Sequence, residues 1–420
     1  MRVLYISVAY PLPANNGAKM RLWAILRAIK NAGHELSLAS FAEPGEVAGT
    51  EQELATVCTD RDIVTLSYTR LSAGGDYGKR LRGIFSSSPF TLERLRSREM
   101  RARLERRVRE RSFDVIVCDN VFAAVNLPAG ASPVVMNSQN VEYLILQRYI
   151  EHERNLFKAL YARLEASKLR RFEAAMYRRA ILAMACSTVD TGLIRSLCPG
   201  IETAVAPNVV DVREYPAGAG EEPLTVLYQG GMDWFPNRDA LQYFVRSILP
   251  LVQKEVPGVR LIAAGRNPSQ EFRASFSDVS ALEFTGTLAD LRPVIARAAV
   301  CVVPLRIGSG TRLKILEAGA MGKAMVSTSV GVEGLDFVPG REILVADDPT
   351  AFARDVVQLL RDPARRRAIG EAAHNRVLQN YDLTALERTI TSAFQKLQDS
   401  INAEAGKTPP VPVGEGEFAC

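Results

Sequence analysis

The segment PLRIGSGTRLKILEAGAMGKAMVST, residues 304–328, decides the fold. An apolar run, Val300 to Val303, leads into it, and a second, Ala324 to Thr328, closes it. Between them lie a glycine turn and a short amphipathic helix, so the segment reads as a strand–turn–helix–strand unit. Ser309 is the expected N-cap, with Arg312, Lys314 and Glu317 in the first turns of the helix. Gly308 and Gly310 leave backbone amides approachable, and a helix N-terminus carries roughly half a positive charge, so phosphate is the natural ligand of such a turn. Arg312 and Lys314 add full charges. Lys314 and Glu317 are three apart and share a helix face. Two readings stay open: an ordinary intrahelical ion pair, or a lysine on phosphate beside a carboxylate that accepts from two vicinal ribose hydroxyls.

Working outward, short apolar runs alternate with amphipathic stretches almost end to end, the pattern of βαβ units around parallel sheets. The first series of strand candidates is Val3 to Val8, Glu35 to Ser40, Ile63 to Leu66, Val115 to Cys118, Val134 to Asn137, Ile181 to Cys186 and Thr203 to Ala206. The second is Thr225 to Gln229, Arg260 to Ala264, Leu282 to Phe284, Val300 to Val303, Ala324 to Thr328 and Ile343 to Val345. Between the series, residues 207–223 carry Pro, Gly and acidic residues without periodicity and read as a linker. The division that follows is a first domain at 1–207, a linker at 208–223, a second domain at 224–381, a last helix at 382–400 and a tail at 401–420. A helix opening at Asn237-Arg238-Asp239 and running to Glu255 is expected, as are helices at 350–361 and 364–379. No internal repeat of fixed period is present.

Composition narrows the function. The 420 residues are 47% hydrophobic and 24% charged, a soluble globular balance, and 52 Lys and Arg against 47 Asp and Glu give only +5, too little for a generic polyanion binder. Cysteines at 58, 118, 186, 198, 301 and 420 form no Cys-x-x-Cys, and no His stands at metal-ligand spacing, so neither a disulfide framework nor a metal site is expected. A reducing compartment fits. The opening MRVLYISVAYPLP reads as a first strand ended by Pro11 and Pro13, and no stretch approaches the roughly 18 apolar residues of a membrane span. Residues 79–111 hold 12 Lys and Arg against 4 Glu, and 154–179 is a second cationic helix. The first is either a solvated face or a surface for anionic lipid headgroups, and the second either lines an acceptor cleft or docks on the same membrane; aromatics for nucleic-acid stacking are nearly absent from 79–111, so nucleic acid is not an expected partner.

The donor-side residues resemble the family-four glycosyltransferases, whose pattern is Glu-x7-Glu followed by Ala-x-Ala-x-Gly. Glu317 matches the second Glu, with Ala318 to Gly322 behind it, while Ser309 stands where the first Glu would be and leaves the amides of Gly310 and Thr311 to take its place. PLPANNGAKMR is similar to the family's N-terminal glycine turn, with Gly17 and Arg21, and Pro207 to Asp211 is similar to its Pro-Asn-Gly-Val-Asp. The resemblance implies a GT-B fold: α/β, two Rossmann-like parallel-sheet domains facing across a cleft, with the C-terminal helix returning to the first domain. It also implies transfer of a sugar from a nucleoside diphosphate sugar to a glycan or lipid-linked acceptor, with retention and without metal or other cofactor. Donor contacts are then expected from Gly17, Arg21, Gly230, Arg266, Thr287, Gly308, Ser309, Gly310, Thr311 and Glu317, and catalytic roles from Arg312, Lys314 and Gln139.

Two departures stand out. Family members carry an Arg and a Lys after the first strand of the second domain, whereas Gln229 to Asn237 here contains neither; Arg312 and Lys314 are the expected replacements. The family's cleft His is matched by Gln139 in NSQNVEY, an amide that hydrogen-bonds but cannot ionise. The Asp-Trp-x-Pro-Asn and Asn-Val-Glu elements are similar to sugar transferases of bacterial PEP-CTERM exopolysaccharide systems, which implies a cytoplasmic protein at the inner face of the membrane. The rival readings are a nucleotide-sugar 2-epimerase of the same fold and a non-catalytic nucleotide-sugar-binding subunit.

Overall fold

The computed structural model describes residues 1–66, 83–131, 133–153, 155–216, 220–266 and 268–405. Residues 79–82 and 154 of the basic runs, 217–219 of the linker and the tail from 406 lie outside the described residues.

Two parallel sheets organise the chain. The first contains β1 (Arg2–Ser7), β2 (Glu35–Ala42), β3 (Asp60–Thr65), β4 (Val115–Asp119), β5 (Val134–Ser138), β6 (Ala180–Ala185) and β7 (Glu202–Val205), in the order β3-β2-β1-β4-β5-β6-β7. The second contains β8 (Thr225–Gln229), β9 (Arg260–Ala264), β10 (Leu282–Gly286), β11 (Val300–Val303), β12 (Ala324–Ser327) and β13 (Leu344–Val345), in the order β10-β9-β8-β11-β12-β13. Helices cover both faces, so the inner strands β4, β5, β8, β11 and β12 are buried along their whole length. In β1, Val3 and Tyr5 enter the core on one side of the first sheet while Leu4 and Ile6 enter the core on the other.

Strand order reverses beside β1 in the first sheet and beside β8 in the second, and it is at the carboxyl ends of strands at such reversals that α/β sheets bind ligands. The helices that matter here are α1 (Gly17–Asn31), α2 (Arg98–Glu110), α3 (Glu142–His152), α4 (Leu156–Arg179), α5 (Phe235–Tyr243), α6 (Leu313–Ala320) and α7 (Leu383–Ala405). Helix α1 follows β1, α5 follows β8 and α6 follows β11, so the connections at the two reversals converge between the domains.

The chain crosses between domains twice, side by side. Val210 N donates to Tyr381 O at 3.0 Å, and Val212 N to the Asp382 carboxylate at 3.1 Å. After the second crossing α7 returns to the first domain, where Leu386, Ile390, Phe394 and Leu397 are buried in its core. That spacing is one helical stripe, and each such side chain contributes at most about 1.5–3 kcal/mol of burial.

Two local expectations change. The helix expected to open at Asn237 opens at Phe235 instead, because Pro236 sits comfortably in a first turn; a π turn over Phe244–Ile248 then precedes Leu249–Glu255, since Pro250 has no N–H for the regular bond. Three of the six arginines of α2 are paired: Arg107 is bound by Asp60 and Asp62, Arg103 by Glu99 at 2.7 Å, and Arg101 by Glu105 at 3.1 Å. Arg98, Arg106 and Arg109 are exposed. No described helix is long and apolar enough to cross a membrane.

Candidate functional site

The glycine bend sits between the domains. Gly310 has φ +70°, and a Cβ there would overlap the Gln139 carbonyl and lie 2.7 Å from Asn140 Oδ1, so only glycine allows this approach. Ser309 corrects the expected N-cap. The residue preceding α6 is Arg312, with extended backbone, and Ser309 Oγ accepts from Val141 N of the first domain at 3.0 Å. Asn208 Nδ2 donates to Thr311 O at 3.1 Å. Arg148 of α3 binds Gly308 O and forms a bidentate pair with Glu333, both contacts 2.6 Å. The bend is thus held against the first domain by Val141 N and the Arg148 side chain of one segment and the Asn208 side chain of another.

Arg312 turns into the bend. It is buried, and its guanidinium donates to Ser309 O at 2.6 Å, to Gly310 O and to Val330 O at 3.1 Å. Burial pushes it down to about 10. Its terminal nitrogens fix the shape of the bend, while its buried Nε has no hydrogen-bond partner among the described residues. Arg21, expected at the donor, is buried as well: it donates to Ala206 O at 2.7 Å and to Asn208 and Asn137, each at 3.0 Å. Asn137 in turn donates to Asp119 at 2.8 Å. Asp119, the last residue of β4, also accepts from Tyr5, Ser7 and Gln139. Because the Gln139 amide nitrogen is committed to Asp119 at 3.1 Å, its side-chain oxygen is left to accept.

Lys314 and Glu317 do not pair. Lys314 Nζ donates to Asn237 Oδ1 at 3.0 Å and lies 5.1 Å from the centre of the Tyr228 ring, while burial, with Arg312 nearby, pushes it down to about 7. Glu317 accepts from Tyr215 at 3.2 Å and from Gln229 at 2.9 Å, and burial raises its pKa. Each carboxylate oxygen keeps a lone pair for a further donor. Asn237 also donates to Gly231 O at 2.9 Å, and its side chain fills the space a Cβ on Gly230 would need. Gly230, Asn237 and Lys314 are one packed unit.

On the facing side, Gly17 opens α1, and a Cβ on it would meet Leu313 at 3.0 Å. The first turns of α1 and α6, each with amides that lack intrahelical partners, therefore approach one another across the cleft. Arg266 and Thr287 lie further out: Arg266 pairs with Asp233 at 3.3 Å at the surface, and Thr287 is exposed just beyond β10. Sequence reasoning missed Tyr215, Gln229 and Asn237 as partners of Glu317 and Lys314. Asn237, the third residue of α5, was read as the opening of the helix, which hid its contact with Lys314.

Residues 223–362 match the family described as Glycosyl transferases group 1. An uncharacterized 44.6 kDa protein in the cps region of Klebsiella pneumoniae is 22% identical over 408 residues, 94% of this chain and 99% of that protein. Among solved structures, the sucrose-phosphate synthase (tll1590) from Thermosynechococcus elongatus superposes with a TM-score of 0.70 at 16% identity, covering 95% of this chain and 100% of the other. Anabaena Alr3699/HepE in complex with UDP and glucose gives 0.66 at 14% identity, covering 94% and 99%. The architecture is GT-B.

Proposed function

We propose that the chain is a retaining glycosyltransferase that moves a sugar, a hexose or a related one, from a nucleoside diphosphate sugar to a glycan or lipid-linked acceptor during synthesis of a bacterial exopolysaccharide or other surface polysaccharide, at the cytoplasmic face of the membrane. The observation that carries this reading is the separation of Lys314 and Glu317 onto different partners beside two converging helix N-termini. The match of residues 223–362 supports the reaction class, the UDP held by HepE supports a nucleotide donor, and the cps-region relative supports polysaccharide synthesis.

On this reading Glu317, oriented by Tyr215 and Gln229, accepts from the donor ribose. Lys314 and the amides at Gly17 and Leu313 meet the diphosphate, where negative charge grows as the bond breaks. Arg312 acts one step back, by fixing the bend. The bond from sugar C1 to the β-phosphate oxygen breaks, and its electron pair leaves with the nucleoside diphosphate. The acceptor hydroxyl oxygen bonds to C1 on the same face, and its proton passes to the departing phosphate oxygen. Gln139, which cannot take that proton, accepts a hydrogen bond from sugar or acceptor. Charge neutralisation falls to protein cations and helix ends, so the proposal requires no metal or other cofactor.

The test is a thermal-shift panel of UDP, GDP and dTDP sugars followed by NMR of the product anomer. One nucleotide series should raise the melting temperature, and Glu317→Ala should lose that rise. No rise with any donor, or an inverted product, would overturn the reading.

A further inference from the structure

The structure assigns a bilayer-docking corner to the first domain, formed by Ile84 and Phe85 with Leu156, Phe157 and Leu160. Leu156, Phe157 and Leu160 share one face of the first turns of α4 and are 83%, 87% and 66% exposed. Phe85 is 89% exposed, and its segment is strapped to α4 by Lys168 Nζ on Gly83 O at 2.6 Å and Phe90 N on Glu165 Oε2 at 2.7 Å. Five large apolar side chains therefore stand exposed on the first turns of α4 and on the segment strapped to that same helix. An exposed apolar cluster of this kind marks an interaction surface.

Charge selects the occupant. Lys158 and Arg163 lie exposed on the same turns, and neither forms an ion pair with any described residue. A second copy would have to offer acids of its own to these two cations. An anionic bilayer instead takes the apolar side chains into its interfacial layer and the cations at its headgroups. What separates this corner from α2 is its apolar side chains, since α2 buries Met100 and Leu104 and exposes no large apolar residue.

Position gives the corner a use that rests on the proposed function. Helix α3 runs from the glycine bend, where Val141 meets Ser309, past Arg148 on Gly308 O and Tyr149 on the Phe235 ring, and its eleven residues, about 16 Å at the ordinary helical rise, end four residues before Leu156. Docking there would bring the cleft within reach of an acceptor whose lipid is in the same bilayer.

The full chain is mixed with phosphatidylcholine vesicles, with or without about one third phosphatidylglycerol, in the absence of nucleotide sugar and acceptor. It should sediment with the anionic vesicles and not the neutral ones. The double variant Phe157→Ser, Leu160→Ser should partition at least about tenfold less, with an unchanged thermal melt because both side chains are exposed. The separate variant Phe157→Trp should gain blue-shifted emission, relative to the parent chain, that brominated acyl chains quench. Equal binding to neutral vesicles, unshifted emission from the Phe157→Trp variant, undiminished binding of the double variant, or a concentration-dependent dimer that the double variant abolishes would each overturn the assignment. Because no sugar is present, such a result leaves the donor site untouched, and a failed transfer assay leaves the vesicle result standing.

Discussion

Lys314 reaches Asn237 Oδ1 at 3.0 Å and leaves Glu317, one turn along the same helix, to Tyr215 and Gln229. An intrahelical pair at this spacing is worth only about 0.2–0.5 kcal/mol, so forgoing it costs little. What is gained is a cation and a carboxylate that stay separately available, each with its direction set by a neighbour.

The depressed Lys314 makes donor binding pH-dependent. With the free protein's ammonium pushed down to about 7, the fraction charged falls as pH rises through that value, and affinity for a nucleoside diphosphate should fall with it. A bound polyanion favours the protonated form, so binding near pH 7 to 8 should draw in protons. Calorimetry in buffers of different ionisation enthalpy reads that uptake directly. In Lys314→Arg, charged throughout this range, uptake should vanish.

Glu317→Ala should weaken the donor by about 1.5–3 kcal/mol, roughly ten- to over a hundredfold, since it deletes a charged acceptor. Tyr215→Phe removes only an orienting bond and should cost about 0.5–1.5 kcal/mol. Titration of both variants with the protecting nucleotide gives the comparison; equal losses would mean that Tyr215 itself touches the ligand.

Arg312 and Lys314 should separate in a thermal melt. Arg312→Ala strips the Ser309, Gly310 and Val330 carbonyls of their buried donor and should destabilise the fold by about 2–5 kcal/mol. Lys314→Ala should leave the melting temperature nearly unchanged and abolish donor protection. The reverse pattern would return Arg312 to the cleft.

Across the cleft, Arg148→Met breaks the pair with Glu333 and the bond to Gly308 O, a loss of about 1–2 kcal/mol for a partly exposed pair. The domains should then spend more time apart, visible as a larger radius of gyration in solution scattering. Looser closure admits water, so the ratio of donor hydrolysed to sugar transferred should rise.

Much of the architecture was legible because buried parallel strands advertise themselves: VIVC at 115–118 and AMVS at 324–327 have no alternative partner than a covered sheet. The helix face carrying Lys314 and Glu317 was legible for a similar reason, since spacing fixes which side chains share a face. Direction was not. Arg312 and Arg21 are long cations whose targets, the Val330 carbonyl in one case and Asn137 and Asn208 in the other, are far away in sequence, and nothing local says that they turn inward. Tyr215 was hidden differently, in a linker without periodicity, and became a partner of Glu317 only once the crossover folded beside α6.

The most direct test of the donor site is a crystal structure with whichever nucleoside diphosphate raises the melting temperature. The β-phosphate should lie between Lys314 and the first amides of α1, with the ribose hydroxyls on Glu317. A diphosphate found elsewhere, for instance in the basic pocket beside Lys323 and Arg366 at the opposite end of α6, would contradict the account.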